Sequence, residues 1–213
     1  MKEIDIQNWN RKSHYELFGS YADPSFVVSV RLDMTHFMAH KPAGHGFFAP
    51  FTYLLMTAAN AFDGLRIRWV DGRPVLFDTV QPSYTVLLED QNFAFQSTEY
   101  NADYAAFQAA MRRDIDGVRA EDSTFFQTNN RADLVYLSSL PWIDTQTITN
   151  PLPYEDKMSM SIPRFNWGKC VKEGDGYRMG LSVTLNHAYV DGYEASMMLD
   201  KLQKLLDTCE TYF

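Results

Sequence analysis

Several stretches of the chain alternate apolar and polar residues with period two, which is the pattern of half-buried strands. SFVVSVRLDM places Phe26, Val28 and Val30 on one side. PSYTVLLED and FAFQS predict two more strands, and DLVYLSSLPW predicts another that finishes near Ser139, because the proline cannot donate to a central ladder. SIPRFNWGKCVKEGDGYRMGLSVTLN predicts two strands joined by a Gly-Asp-Gly turn.

Other stretches repeat their apolar residues at helical spacing. NWNRKSHYELF predicts a short helix opened by Asn8 or Asn10, APFTYLLMTAANAF a buried helix, and DYAAFQAAMRRDIDGV a third helix. LRIRWVDGRPVLFD predicts a hairpin, since Asp71 and Gly72 can supply the positive φ angles of a tight turn. This mixture lacks a strict βαβ rhythm and predicts an α+β fold, a layered α/β sandwich with a mixed sheet covered by helices.

Composition limits the classes of partner. The chain has 213 residues, is 46% hydrophobic and carries a formal charge of −8, without a basic cluster. This charge opposes binding to phosphate backbones, so nucleic acid is not an expected partner. No linker or repeat interrupts the chain, which predicts one domain over residues 1–213. No apolar run approaches the roughly 20 residues of a membrane span, and no signal core opens the chain, so we expect a cytoplasmic protein without a membrane partner.

The sequence carries no recognisable metal or nucleotide motif. Cys170 and Cys209 have neither CxxC spacing nor a nearby histidine cluster, and are predicted to be packed thiols. HExxH, GxxxxGK and GxGxxG motifs are all missing. The sequence therefore predicts no metal cofactor.

A histidine stands where the last predicted strand meets the last helix, in LNHAYVDGYEASMMLDKL. His187 follows the strand, and Asp191 can cap the helix. The helical spacing of apolar residues predicts a buried stripe along that helix, formed by Ala195, Met198, Leu202 and Leu206. A strand-to-helix corner holds a side chain near solvent on a rigid base, and an imidazole is the natural general base near neutral pH. An ordinary structural histidine fits the same spacing, so the pattern alone leaves both interpretations open, a general base or a structural residue.

HAYVDG fits the HxxxDG signature of CoA-dependent acyltransferases. That signature is shared with dihydrolipoyl acyltransferase cores, carnitine acyltransferases and peptide-synthetase condensation domains. The whole chain, however, resembles the classical trimeric chloramphenicol O-acetyltransferases. The matching segments are IDIQNWNRKSHYELF, FDGLRIRWVDGRPVLFDTVQPSYTV and LSSLPW.

The resemblance implies the CoA-dependent acyltransferase fold, acetyl-CoA as co-substrate and a small-molecule hydroxyl acceptor, chloramphenicol. His187 would be the general base and Ser138 the oxyanion donor, although a serine on a strand can equally bond local backbone. Asp191 would form a buried ion pair with Arg11, and Gly192 would accommodate the junction. The resemblance further implies a homotrimer with active sites between subunits and a role in antibiotic resistance.

The chain departs from the family at several positions. Asn166 replaces a threonine that helps hold a water near the oxyanion. In the acceptor pocket, Phe18 replaces a tyrosine, while Ala22 and Pro24 stand where other residues are usual. The family's residue type is kept at Phe26, Thr85 and Phe125. These changes leave two alternatives: an acyltransferase for a different hydroxyl acceptor, or a homologue that binds its ligands but is catalytically weak.

Overall fold

The alternating stretches build one large mixed sheet at the centre of the molecule. The computed structural model describes residues 1–120 and 131–213. The strands among these residues are β1 Lys2–Glu3, β2 Ser25–Asp33, β3 Ile67–Val70, β4 Arg73–Leu76, β5 Gln81–Leu87, β6 Phe93–Ser97, β7 Leu134–Ser139, β8 Arg164–Trp167, β9 Val171–Glu173 and β10 Gly176–Asn186. The α-helices are α1 Lys12–Phe18, α2 Thr35–His40, α3 Phe48–Ala59, α4 Tyr104–Ala120, α5 Lys157–Met160 and α6 Gly192–Asp207.

The large sheet has the strand order β2-β10-β8-β7-β5-β6, and β9 pairs with the start of β10. Strand β7 runs parallel to both of its neighbours, and the remaining pairs are antiparallel. Strands β1, β4 and β3 form a separate small sheet. This mixed sheet with helices packed on it confirms the predicted α+β layered fold.

Helices cover one face of the large sheet. Helix α3 packs between α4 and α6, and the buried residues of all three helices join the core. Val28 pairs with Val183 and faces this core, as the alternation predicts. The predicted stripe of α6 is also buried, at Ala195, Met198, Leu202 and Leu206.

The opposite face, which we call the open face, carries a row of polar side chains. Ser138 pairs with Asn166, Asn166 with Ser182, and Ser182 with Ser29. Thr85 continues the row on β5. The parallel strands β5 and β7 pair Tyr84 with Leu137, so the next residues of the two strands, Thr85 and Ser138, lie side by side. We call these five residues the polar row; they alternate with core residues along their strands.

Residues 143–150, which we call the covering segment, lie across part of the open face. Ile148 N–H donates to Ser182 Oγ at 2.9 Å, and Thr147 Oγ1 donates to Ser29 Oγ at 2.9 Å. The Thr145 backbone lies so close to Gly180 that a Cβ at position 180 would be 1.9 Å from its carbonyl oxygen. Gly180 therefore permits this close approach.

Two local predictions are wrong. The first α-helix begins at Lys12, and neither Asn8 nor Asn10 caps it; Asp5 instead caps a preceding 3₁₀ turn. The predicted strand after Ile162 is divided into β8 and β9 around Gly168, where a Cβ would clash with Thr145 Oγ1 at 2.6 Å. Gly168 N–H still donates to the Gly180 carbonyl at 3.2 Å, whereas Lys169 N–H donates to the Ile143 carbonyl of the covering segment at 2.8 Å.

The hairpin prediction is confirmed, with Asp71 at φ 49° and Gly72 at φ 83°. Both cysteines are free thiols; Cys209 is buried, and burial raises the pKa of the half-buried Cys170 to about 11. Among the described residues, no helix combines the length and apolarity that crossing a lipid bilayer demands.

Candidate active site

The corner that carries His187 is fixed by backbone hydrogen bonds. Strand β10 ends at Asn186, whose carbonyl accepts from the N–H groups of Tyr189 and Val190, each at 3.0 Å. The Asn186 side chain also accepts from Ala188 N–H at 2.9 Å. Asn186 therefore closes the turn in which His187 lies, a role that the sequence did not reveal.

The imidazole ring of His187 has a defined orientation and tautomer. Its Nδ1 lies 3.1 Å from the Val190 carbonyl oxygen, which can only accept, so Nδ1 carries a hydrogen, and in the neutral imidazole Nε2 is then the nitrogen with the lone pair. Phe18 stacks on the ring with a centroid separation of 3.9 Å and an angle of 6°, and Phe26 lies at 4.7 Å. The half-buried imidazole is thus fixed in orientation, and no residue in the described part of the chain bonds its Nε2.

An ion-pair network supports this corner. Asp191 caps α6 by accepting from Glu194 N–H at 2.9 Å, and it pairs with Arg11 Nη1 at 3.0 Å. The Glu194 N–H and, next, the Arg11 guanidinium hold the pKa of Asp191 below its usual value. The predicted pair is therefore present and is largely buried within a single chain, with the Arg11 and Asp191 side chains 20% and 29% exposed.

Glu194 is a third member of this network that the sequence prediction missed. Its Oε1 accepts from Gly64 N–H at 2.8 Å, and its other oxygen lies 3.9 Å from Arg11. Burial raises the pKa of Glu194. A Cβ at position 64 would lie 2.5 Å from Glu194 Oε2, so a larger residue there would displace the carboxylate from the Gly64 N–H and from Arg11. The signal in the sequence was the D-x-x-E spacing from Asp191 to Glu194, which is typical of a capping box.

The glycine predicted to accommodate the junction has a different environment. Gly192 is the first residue of α6, is exposed and is not among the glycines with positive φ. A Cβ there would meet no atom of the described residues within 4 Å. The geometry of the junction therefore gives no reason for a glycine at position 192, contrary to the expectation from the sequence.

Ser138 and Asn166 are neighbours in the polar row but differ in their bonding. Asn166 Nδ2 donates to Asn150 Oδ1 at 2.6 Å and contacts the Ile148 carbonyl at 3.5 Å, so its amide hydrogens are directed at the covering segment. The half-buried Ser138 hydroxyl bonds no residue in the described part of the chain. Of the two, Ser138 is the donor that remains available to a ligand.

The structure of one chain does not bring His187 and Ser138 together. Ser182, in the polar row, precedes His187 by five positions, which corresponds to about 16 Å along the strand. Ser138 lies two strands to the side of Ser182, about 10 Å further across the sheet. The two predicted catalytic groups therefore occupy separate places on one chain.

The predicted acceptor positions divide between these two places. Phe18 and Phe26 contact the imidazole itself. Ala22 and Pro24 line a cleft of about 390 Å³ beside the corner, whose other walls include Tyr15, Trp69, Tyr154 and Lys157. Thr85 lies in the polar row. Phe125 lies outside the described residues.

The chain is similar to known proteins along nearly its whole length. A family model described as "Chloramphenicol acetyltransferase" matches residues 1–203. A chloramphenicol acetyltransferase from Escherichia coli is 30% identical over 206 residues, covering 96% of this chain and 93% of the relative. One from Proteus mirabilis is 27% identical, with 96% and 94% covered. A solved chloramphenicol acetyltransferase structure superposes with a TM-score of 0.86 at 27% identity, covering 97% of this chain and all of the other.

We expect Arg11→Ala to lower the free energy of unfolding at neutral pH by roughly 1–2 kcal/mol, because Asp191 loses its partly buried partner. The folded chain holds the pKa of Asp191 below 3.8, so this stabilisation is complete above that pH and is lost as the pH falls through the lowered pKa. Urea unfolding of both proteins from pH 7 to pH 2.5 measures the difference, which should shrink in acid. Lys12→Ala, at the next position, is the control and should change the free energy of unfolding little. An equal loss of stability in both variants would contradict the stabilising role of the Arg11–Asp191 ion pair.

Gly64→Ala should destabilise the chain by about 1–3 kcal/mol, because the new Cβ overlaps the Glu194 carboxylate. Gly192→Ala, at the start of α6, should be neutral or slightly stabilising. The melting temperatures of the two variants, each compared with that of the wild type, measure these effects. In a double-mutant cycle, Glu194→Ala should relieve part of the cost of Gly64→Ala. Additive losses would show that the overlap does not cause the destabilisation.

Proposed function

The chain belongs to the chloramphenicol acetyltransferase family, and we propose that it transfers the acetyl group of acetyl-CoA to a hydroxyl of chloramphenicol with His187 as general base. The observation that carries the proposal is the 3.1 Å contact of His187 Nδ1 with the Val190 carbonyl, which uses Nδ1–H as a donor and leaves Nε2 of the neutral ring able to accept a proton. An imidazole is well suited to this role near neutral pH. No metal ion is needed for it.

In the proposed reaction, Nε2 removes the proton of the acceptor hydroxyl as its oxygen attacks the thioester carbonyl. The C–O bond forms first; the tetrahedral intermediate then collapses, the C–S bond breaks, and the imidazolium returns the proton to the CoA sulfur. No acyl-enzyme forms. The Nδ1–H bond to Val190 persists in the imidazolium, so the ring need not reorient between the two proton transfers.

Ser138 is the residue we propose to stabilise the oxyanion. Its hydroxyl bonds no described residue, whereas the amide of Asn166 is directed at Asn150. A hydroxyl that no described residue holds can donate to the oxygen of the tetrahedral intermediate without first losing a hydrogen bond to one of them. We assign Asn166 instead to holding the covering segment beside Ser138.

We further propose that the protein is a homotrimer in which His187 of one subunit works with Ser138 of the next. The wide separation of these two residues within one chain supports an active site assembled between chains. The sheet also exposes apolar side chains outside the helical layers, with Val27 at 40% and Leu87 at 50% exposure. Such side chains suit an interface that is buried on assembly.

A different hydroxyl acceptor is the second candidate. The observation in its favour is that Phe18 offers no hydroxyl and stacks directly on the imidazole. Ala22 and Pro24, the two altered positions, line a cleft that is also lined by Lys157. These changes alter the surroundings of the acceptor but leave His187 and Ser138 themselves in place, so the transfer chemistry is common to both candidates.

The remaining parts of the proposal follow from the co-substrate and the fold. Residues 1–213 would act as one domain in the cytoplasm, where acetyl-CoA is available. Acetylation of the drug would then confer antibiotic resistance, which is the physiological role we propose. Neither a nucleic acid nor a membrane is a proposed partner.

We expect His187→Ala to lower kcat/KM by about 10²–10⁴-fold while leaving thermal stability and oligomer size nearly unchanged. The assay follows release of the free CoA thiol from acetyl-CoA with chloramphenicol as acceptor. His14→Ala, on neighbouring α1, is the matched control and should retain activity. Near wild-type turnover by His187→Ala would eliminate the mechanism. If the wild type is inactive, a panel of hydroxyl compounds tests the second candidate, and binding without any turnover would indicate a catalytically weak homologue.

Ser138→Ala should reduce kcat by about 10²–10³-fold with little effect on KM, because the lost hydrogen bond forms only in the transition state. Ser139→Ala is its control, since that side chain points to the other face of β7. Steady-state kinetics with varied acetyl-CoA separate the two constants. A rise in KM at unchanged kcat would show that Ser138 serves binding instead.

A further inference from the structure

Three potential metal ligands meet far from the histidine corner. His36 lies on α2, and Cys209 and Glu210 begin the 3₁₀ helix Cys209–Tyr212 near the C-terminus. His36 Nε2 lies 2.7 Å from Glu210 Oε2. One ligand atom from each of the three residues lies within 4.8 Å of the other two.

We propose that His36, Cys209 and Glu210 form a binding site for a Zn²⁺-like divalent cation. An imidazole nitrogen, a thiolate and a carboxylate are all ligands of zinc, and this combination of soft and hard donors suits zinc better than magnesium or calcium. Three protein ligands leave the fourth tetrahedral position to water. The cluster was not visible in the sequence, because His36 and Glu210 are 174 positions apart.

Small movements are enough to form the site. With bonds of about 2.0–2.3 Å and tetrahedral angles, ligand atoms around zinc are separated by roughly 3.3–3.7 Å. The hydrogen bond between His36 and Glu210 must therefore open slightly, and the thiol, which lies within 4.8 Å of both, must approach by at most about 1.5 Å. Binding replaces the S–H bond of Cys209 with a metal–sulfur bond and releases that proton to solvent.

The surroundings allow a cation to enter and hold His36 in place. The side chains of His36 and Glu210 are 34% and 50% exposed, whereas Cys209 is buried behind them. His40 stacks on His36 at 4.0 Å and its Nδ1 lies 2.9 Å from the His36 carbonyl oxygen. The bound cation would join α2 to the C-terminal turn.

This site is independent of the proposed active site. Helix α2 follows the end of β2 at Asp33, whereas the histidine corner pairs with the beginning of β2 at Ser25. The strand between them spans about 26 Å. Cation binding should therefore raise thermal stability without changing acetyl transfer.

The test uses Co²⁺ as a spectroscopic probe on the full chain, after treatment with a chelator and dialysis. We expect one Co²⁺ per chain, with the charge-transfer absorption of a cobalt–thiolate bond, and its displacement by Zn²⁺. Cys209→Ser should abolish that absorption, and Cys170→Ser, which removes the other thiol, should retain it. His36→Ala, at a partly exposed position, should weaken Co²⁺ binding by at least about tenfold.

Melting of each variant in chelator verifies that it is folded, and His36→Ala tests the site even if Cys209→Ser fails to fold. The proposal is overturned if the wild type shows no thiolate absorption, if Cys170→Ser abolishes it, or if folded His36→Ala binds Co²⁺ as tightly as the wild type.

Discussion

Strand β10 fixes the positions of both halves of the candidate site, the polar row and the histidine corner. It pairs with β2 along nine positions and with β8 on its other side, so its residues cannot shift relative to either neighbour. Ser182 fixes the polar row in the middle of the strand, and Asn186 fixes the histidine corner at its end. The rise of an extended strand then separates the two halves by about 16 Å along its axis, and no rotamer change of His187 or Ser138 can close that gap.

The corner is rigid because several weak constraints act on the same residues. Phe18 and Phe26 restrain the imidazole plane, the Val190 carbonyl selects the tautomer, and Asn186 closes the turn. The network of Arg11, Asp191 and Glu194 anchors the start of α6 behind this turn. Support of this kind keeps a proton acceptor in one orientation while its own side chain remains partly accessible.

Much of the fold could be predicted from the sequence, because its signals are local. Alternation identified β2, the Asp71-Gly72 pair identified the hairpin, and the stripe of α6 followed from helical spacing. The division of β8 from β9 was missed, since it depends on Thr145 packing against Gly168. Glu194 and Gly64 were missed for the same reason: they are 130 positions apart and meet only in the folded chain. The positions of His187 and Ser138 could be named from motifs, but their separation required the strand register.

The claim that one active site is shared by two chains can be tested by mixing defective subunits. His187→Ala and Ser138→Ala chains, coexpressed with different tags and purified as mixed trimers, are assayed for CoA release. If the two groups come from different chains, each mixed trimer contains about one complete site in three, and activity returns far above that of either parent. If both groups act within one chain, every site carries a defect, and mixed trimers no more active than the parents would contradict the account.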